Sequence, residues 1–155
     1  MITTLPTDFT LENKMLRAVD VPHSVYIHVP FCHHRCAYCD FNIYADQPAL
    51  YEAYVHAIAE EIAATAIRVG RVRVPTIYFG GGTPSRLPAE LIGGLLAAVR
   101  TFFEVDEDAE ITLEANPMTD RRMTVDDGRH LLSSAVVRPS SLAYFAHLRD
   151  LGVNR

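Results

Sequence analysis

Three cysteines fall within eight consecutive residues, Cys32-His-His-Arg-Cys36-Ala-Tyr-Cys39, and the chain has no others. The C-x3-C-x2-C spacing delivers three thiolates from one loop, one fewer than a closed four-cysteine zinc or iron-sulfur site takes. An odd, clustered set argues against a secreted disulfide framework and for a metal or redox site. Soft thiolates suit an iron-sulfur cluster, and a cluster with one iron free of protein ligands can bind a substrate or cofactor directly. On spacing alone two other readings stay open: zinc completed by His28, His33 or His34, and three unligated thiols.

The elements that must position this loop can be read from local pattern. Residues Ser24 to Val29 (SVYIHV) are β-branched and aromatic and predict a short buried strand, closed by Pro30, with the cysteine loop at its C-terminal end. Leu50, Tyr51, Tyr54, Val55, Ile58 and Ile62 then recur at helical spacing, and Pro48 suits a first turn and Gly70 a stop, which predicts a helix over about 49–69. Val74 to Phe79 (VPTIYF) predicts a second strand running into Gly80-Gly81-Gly82-Thr83-Pro84-Ser85. Leu91, Leu95, Val99 and Phe102 mark the helix after it. A third strand, Glu110 to Ala115 (EITLEA), ends at Asn116-Pro117. The third helix spans about 139–151, with Leu142, Phe145 and Leu148 on one side and Gly152 as its stop.

Strands alternating with helices predict an α/β fold of three βα units, with parallel pairing, right-handed crossovers and cover on both sheet faces. The loops after such strands share one rim, where ligands bind in barrels and open α/β sheets. The cysteine loop, the glycine loop and Glu114 are therefore expected to converge there. Residues 1–22 read as an N-terminal arm, and the polar stretch 118–138 as an insertion where a short connection is expected. The chain stops at Gly152-Val153-Asn154-Arg155, where a fourth strand should begin, so an unfinished sheet edge and poor stability are expected.

Composition excludes some classes of function. Hydrophobic residues make up 49% and charged residues 21% of the 155, a soluble globular balance. The net charge of -5, from 14 Lys and Arg against 19 Asp and Glu, offers no basic stripe for phosphates and argues against nucleic acid as a partner. No apolar run suits a signal peptide or a membrane span, so the expected location is cytoplasmic.

The stretch YIHVPFCHHRCAYCDF, followed by TIYFGGGTPS, EITLEANP and VRPSSLAYFAHLRDLGVNR, resembles the radical SAM family. Within it the chain is similar to the branch of oxygen-independent coproporphyrinogen III oxidase-like proteins. The resemblance implies a partial, truncated TIM-type barrel over residues 23–155, about the first half of the family's barrel. It implies that Cys32, Cys36 and Cys39 ligate a 4Fe-4S cluster whose fourth iron chelates S-adenosylmethionine. One-electron reduction would cleave that cofactor to a 5'-deoxyadenosyl radical, with the electron coming from a donor such as flavodoxin or ferredoxin. By the same matching, Tyr26, Gly81, Gly82, Thr83 and Glu114 would contact S-adenosylmethionine, and Tyr38 would pack near its adenine.

True coproporphyrinogen dehydrogenases resemble one another in a further cysteine two positions after the last cluster ligand, where this chain has Phe41. The CAYCDF form instead resembles HemW-type heme chaperones, which bind heme and deliver it, so heme or a porphyrin is the implied cargo. His33 and His34 read as solvated loop histidines. The remaining alternatives are radical oxidative decarboxylation of coproporphyrinogen III, a zinc-binding structural module, and a nonfunctional truncated product.

Overall fold

The computed structural model describes residues 21–116 and 141–155. The expected arm, apart from residues 21 and 22, and the expected insertion 118–138 lie outside the described residues. Among the described residues five strands and three α-helices follow in the order β1 (Ser24–Val29), β2 (Phe31–Cys32), β3 (Tyr44–Ala45), α1 (Tyr51–Val69), β4 (Arg73–Gly81), α2 (Ala89–Phe102), β5 (Glu104–Leu113) and α3 (Ser141–Asp150). The expected fold class holds: β1, β4 and β5 form a parallel sheet in that spatial order, so strands of successive βα units are neighbours, as in a barrel wall. The short β2 and β3 pair separately and in parallel, and they belong to the cysteine loop.

Alternation along the strands explains the layering. Val29, Ile27, Ile77, Phe79, Ile111 and Leu113 point to one face and are buried in the same core as Ile62 of α1 and Ile92, Leu95, Leu96 and Val99 of α2. Register brings Ser24 beside Thr76, Tyr26 beside Tyr78, and Thr76 and Tyr78 beside Glu110 and Thr112. These form the opposite face, which is polar and aromatic, and the Thr76 hydroxyl donates to Ser24 Oγ across it at 2.7 Å. Cover on both faces was expected, yet among the described residues apolar packing covers one face only. The strands alternate because the second face is the lining of a partial barrel, not a second core.

The helices follow the predicted spacing. In α1, Tyr51, Val55 and Ile62 are buried, and Gly70 at φ 81 ends the helix with its N–H on Ala66 O. A 3-10 turn, Pro48–Leu50, precedes it. In α3 the prediction is partly corrected: Leu148 is buried, but Leu142 is 81% exposed and Phe145 also faces outward. The helix is instead anchored by Tyr144, whose hydroxyl donates to Leu87 O, with burial and the Glu90 charge pushing the phenol upward. Gly152, at φ 104, reverses the chain, and Arg100 of α2 donates to Leu151 O, placing a cation at the helix C-terminus.

The third strand starts earlier than expected, because the acidic run Glu104 to Glu110, poor in strand-forming residues, belongs to it. Its register with β4 breaks between Val74 and Thr76. Pro75 lies at that break, and a proline has no N–H to give to the ladder. Arg73 bridges the irregularity with a two-point contact to Asp106, at 2.8 and 2.6 Å.

The edge of β5 is not bare, as had been expected. Asn154 and Arg155 donate backbone N–H groups to Ile111 O, and Leu113 N–H donates to Arg155 O, a parallel ladder pattern. The Asn154 amide continues the ladder, accepting from Ile111 N–H and donating to Ala109 O, both at 2.9 Å. Arg155 pairs with Glu110 at 2.8 Å and holds that carboxyl below its usual range.

Ile77 is 1% exposed at the centre of the middle strand. Ile77→Ala is expected to destabilise the chain by about 2–5 kcal/mol, measured by urea denaturation followed by circular dichroism.

Candidate functional site

The three loops after β1, β4 and β5 meet at one rim. Gly82 N–H donates to Val29 O and Thr83 N–H to Phe31 O, both at 2.8 Å, so the glycine loop is stitched to the start of the cysteine loop. Ser85 fastens the third loop: its N–H donates to Glu114 O, and its hydroxyl accepts from Asn116 N–H. Between them opens a cleft of about 570 Å³ lined by Gly82, Thr83, Glu114, Ala115 and Asn116. That volume falls within the range of small-molecule sites.

The cysteine loop is folded by its own backbone. Tyr44 N–H donates to Pro30 O at 2.7 Å and Asp46 N–H to Cys32 O at 2.9 Å, which close the loop at its base. Cys39 N–H donates to Cys36 O, making a turn that puts the last two cysteines near one another, and Arg35 donates to Phe41 O. All three cysteines are free thiols of intermediate exposure. Thr83 Oγ1 donates to Cys32 Sγ at 3.6 Å, and His34 Nε2 lies 3.9 Å from Cys36 Sγ. Tyr38 is 88% exposed, and its phenol is held above the ordinary range by a hydrogen bond with Cys36 and then by the Cys36 charge.

Among the described residues no three His, Cys, Asp or Glu side chains gather on a point that one metal ion would occupy. A 4Fe-4S cluster makes a different demand, since each thiolate binds a separate iron and the ligands are spread around it. Three soft donors on one loop, one short of a closed set and beside an open cleft, suit that demand.

Glycine is required at two positions of the rim. A Cβ on Gly82 would stand 2.9 Å from Phe31 O and Pro30 C and 3.0 Å from Cys32 Sγ. Gly81 has φ 112, and a Cβ there would meet the His28 ring at 2.5 Å. The glycine loop thus lies in direct contact with both the first cysteine and the strand that leads to it.

On the inner face Tyr26, 58% exposed, stacks against Tyr78 with ring centroids 5.9 Å apart, and its hydroxyl lies 3.3 Å from His28 Nδ1. The Tyr78 hydroxyl donates to Glu114 Oε1 at 2.7 Å, which holds the phenol above its usual range. Gly81 N–H donates to Glu114 Oε2 at 3.2 Å. Of the residues singled out from sequence, Tyr26, Gly81 and Glu114 therefore share one surface, and Cys32, Gly82 and Thr83 are in mutual contact. Tyr38 stands apart with Cys36 and Cys39. His28 and Tyr78 were missed as members of this surface, although strict alternation along their strands places them beside Tyr26.

A parallel βα sheet with a three-cysteine loop at its C-terminal rim is a radical SAM architecture, and the model of the radical SAM superfamily matches residues 26–138; the chain belongs to this superfamily. Its relatives narrow the branch. The heme chaperone HemW of Mycobacterium tuberculosis is 44% identical over 101 residues, 62% of this chain and 25% of the relative. HemW of Escherichia coli is 40% identical over 99 residues, 63% and 26% of the two chains. The oxygen-independent coproporphyrinogen III oxidase of Bradyrhizobium diazoefficiens is 39% identical over 119 residues, 76% and 26%. The solved coproporphyrinogen III oxidase HemN of Escherichia coli, described as a radical SAM enzyme, superposes with a TM-score of 0.69 at 30% identity, over 91% of this chain and 29% of that one. The chain spans about a quarter of the length of these curated relatives.

Two outcomes follow from this geometry. Gly82→Ala should destabilise the chain by about 1–3 kcal/mol, because its methyl group meets the Pro30–Phe31 backbone and the Cys32 sulfur; chemical denaturation, together with faster thiol labelling of Cys32, checks this. The second concerns Tyr54, which donates from its hydroxyl to His28 O and whose phenol burial pushes up to about 12. Between pH 10 and 12 the unfolded phenol has lost its proton while the folded one keeps it, so stability should fall as pH rises through that window. Denaturation midpoints at pH 9 and pH 11, compared with those of Tyr54→Phe, measure it.

Proposed function

We propose that this chain holds a 4Fe-4S cluster through Cys32, Cys36 and Cys39, binds S-adenosylmethionine at the open iron, and serves a HemW-type heme-handling protein. The observation that carries the reading is the three-thiolate loop in contact, through Cys32, with Gly82 and Thr83 at the mouth of a small-molecule cleft. Similarity to several HemW proteins at 38–44% identity supports the heme chaperone branch. Phe41, where the dehydrogenases have a cysteine, favours the same branch.

When bound, the reduced cluster supplies one electron to cleave the sulfonium cofactor. The protein's part is to place and shield. Gly81 and Gly82 bring backbone close enough to touch a ligand that a side chain would keep away. Glu114, already held in place by Tyr78 and Gly81, presents a carboxylate at the cleft to the cofactor's polar groups. Thr83 lies between cleft and cluster loop, Tyr26 offers an aromatic surface on the inner face, and Tyr38 stands beside Cys36 and Cys39. Heme or a porphyrin is cargo or substrate, and a flavodoxin or ferredoxin is the matching electron donor. A second reading, radical decarboxylation of coproporphyrinogen III, draws on the Bradyrhizobium relative and the HemN structure.

Anaerobic reconstitution tests the site. About four irons and four sulfides per chain are expected, with the absorbance of a 4Fe-4S centre lost in Cys36→Ala. Stoichiometric zinc without iron would replace this reading with a structural zinc module. Heme titration and a coproporphyrinogen turnover assay on the protein separate the two branches, turnover without heme binding favouring the second.

A further inference from the structure

Among the described residues the buried side-chain atoms without a hydrogen-bond partner are Tyr51 Oη and Arg86 Nε. Both residues flank the short strand that carries Cys32: the Tyr51 ring packs on Phe31 with centroids 4.6 Å apart, and Arg86 closes the 3-10 turn after Thr83. The Arg86 side chain is only 4% exposed, yet its one ion pair among the described residues is a long contact of 3.9 Å to Asp46 Oδ1, on a carboxylate that is largely in water. A guanidinium withdrawn from solvent with so little compensation is costly unless another negative group acts on it.

The connections of Arg86 lead to that group. Its backbone N–H donates to Thr83 O at 2.9 Å, and Thr83 Oγ1 donates to Cys32 Sγ. Asp46 N–H donates to Cys32 O, and Asp46 is held at φ 52, an uncommon conformation for a residue with a side chain. Arg86 therefore joins, by its backbone amide to Thr83 and by its guanidinium to Asp46, two residues that each touch Cys32, which places its buried cation two contacts from the first cysteine.

We propose that Arg86 is a positioning residue whose buried positive charge acts on the iron-sulfur cluster held at Cys32, raising its reduction potential. The proposal rests on the cluster reading given above. Three thiolates make a bound cluster net negative, and one-electron reduction adds a further negative charge. A buried cation two contacts from Cys32, whose ion partner among the described residues is the solvated Asp46, stabilises the reduced form more than the oxidised one.

The experiment is a dithionite titration of the anaerobically reconstituted 155-residue chain, read by electron paramagnetic resonance and paired with iron analysis. Arg86→Met keeps the length and the apolar stem but removes the charge. It should make reduction about tenfold less favourable, ~59 mV more negative for a one-electron couple. Arg86→Lys should restore most of the wild-type value. Asp46→Asn removes the counter-charge and should shift the potential in the opposite direction, which also decides the matter if Arg86→Met fails to load. A merely structural role would lower iron content and leave the potential of the loaded fraction where it was, and that result overturns the proposal. Unchanged potentials in fully loaded variants overturn it alone, whereas a wild-type chain that takes up no iron overturns the cluster reading with it.

Discussion

The rim is organised by a shortage of space. At Gly82 the glycine loop runs so close to Pro30, Phe31 and the sulfur of Cys32 that there is no room for a methyl group between them. Two backbone hydrogen bonds, from Gly82 to Val29 and from Thr83 to Phe31, make that closeness permanent. The cysteine loop has little regular structure, two paired dipeptides and a turn, so it cannot define its own position. It borrows rigidity from β4, whose central residues are among the most deeply buried in the chain. Packing of Ile77 and Phe79 against the helices thus fixes the place of Cys32, several residues and one strand away.

The two sheet faces divide labour along the same strands. Odd positions of β1 and β4 carry Ile27, Val29, Ile77 and Phe79 into the helical layer, and even positions carry Tyr26, His28 and Tyr78 to the other side. Because parallel register sets Tyr26 against Tyr78 and Ile27 against Phe79, a slip of one residue would exchange lining for core in the strand that slipped. The apolar set therefore guards the alignment of the polar set. Glu114 gains from this arrangement: it sits just beyond β5, and its two oxygens are occupied by Tyr78 and Gly81 of the neighbouring strand.

Much of this was legible in sequence, for reasons that differ by element. The first strand, Ser24–Val29, matched its prediction residue for residue because Pro30 punctuates it and β-branched and aromatic residues fill it. Helices α1 and α2 declared themselves through periodic Val, Ile and Leu. The acidic start of β5 was hidden, since Glu104 and Val105 are held by pairing with Arg73 and Val74, and Asp106 by its contact with Arg73, rather than by propensity. Family motifs pointed to Cys32, Cys36, Cys39, Gly81, Gly82, Thr83 and Glu114, and the fold gathers most of them, but Arg86 carried no such signal. Its significance lies in being buried beside Asp46, a relation between residues forty positions apart that no local pattern records.

Pro75 interrupts the ladder between the middle strand and β5, so that pairing resumes at Thr76 and Glu110 after the break. The interruption divides the joint into two segments that can open separately. Fraying at the acidic end, where a short stretch of ladder at Arg73 and Val74 and the Arg73–Asp106 contact hold the strands, has no continuous row of backbone hydrogen bonds through which to spread toward Phe79 and Leu113. The missing amide thus works as a firebreak, insulating the ligand-facing end of the sheet from motion at its far end.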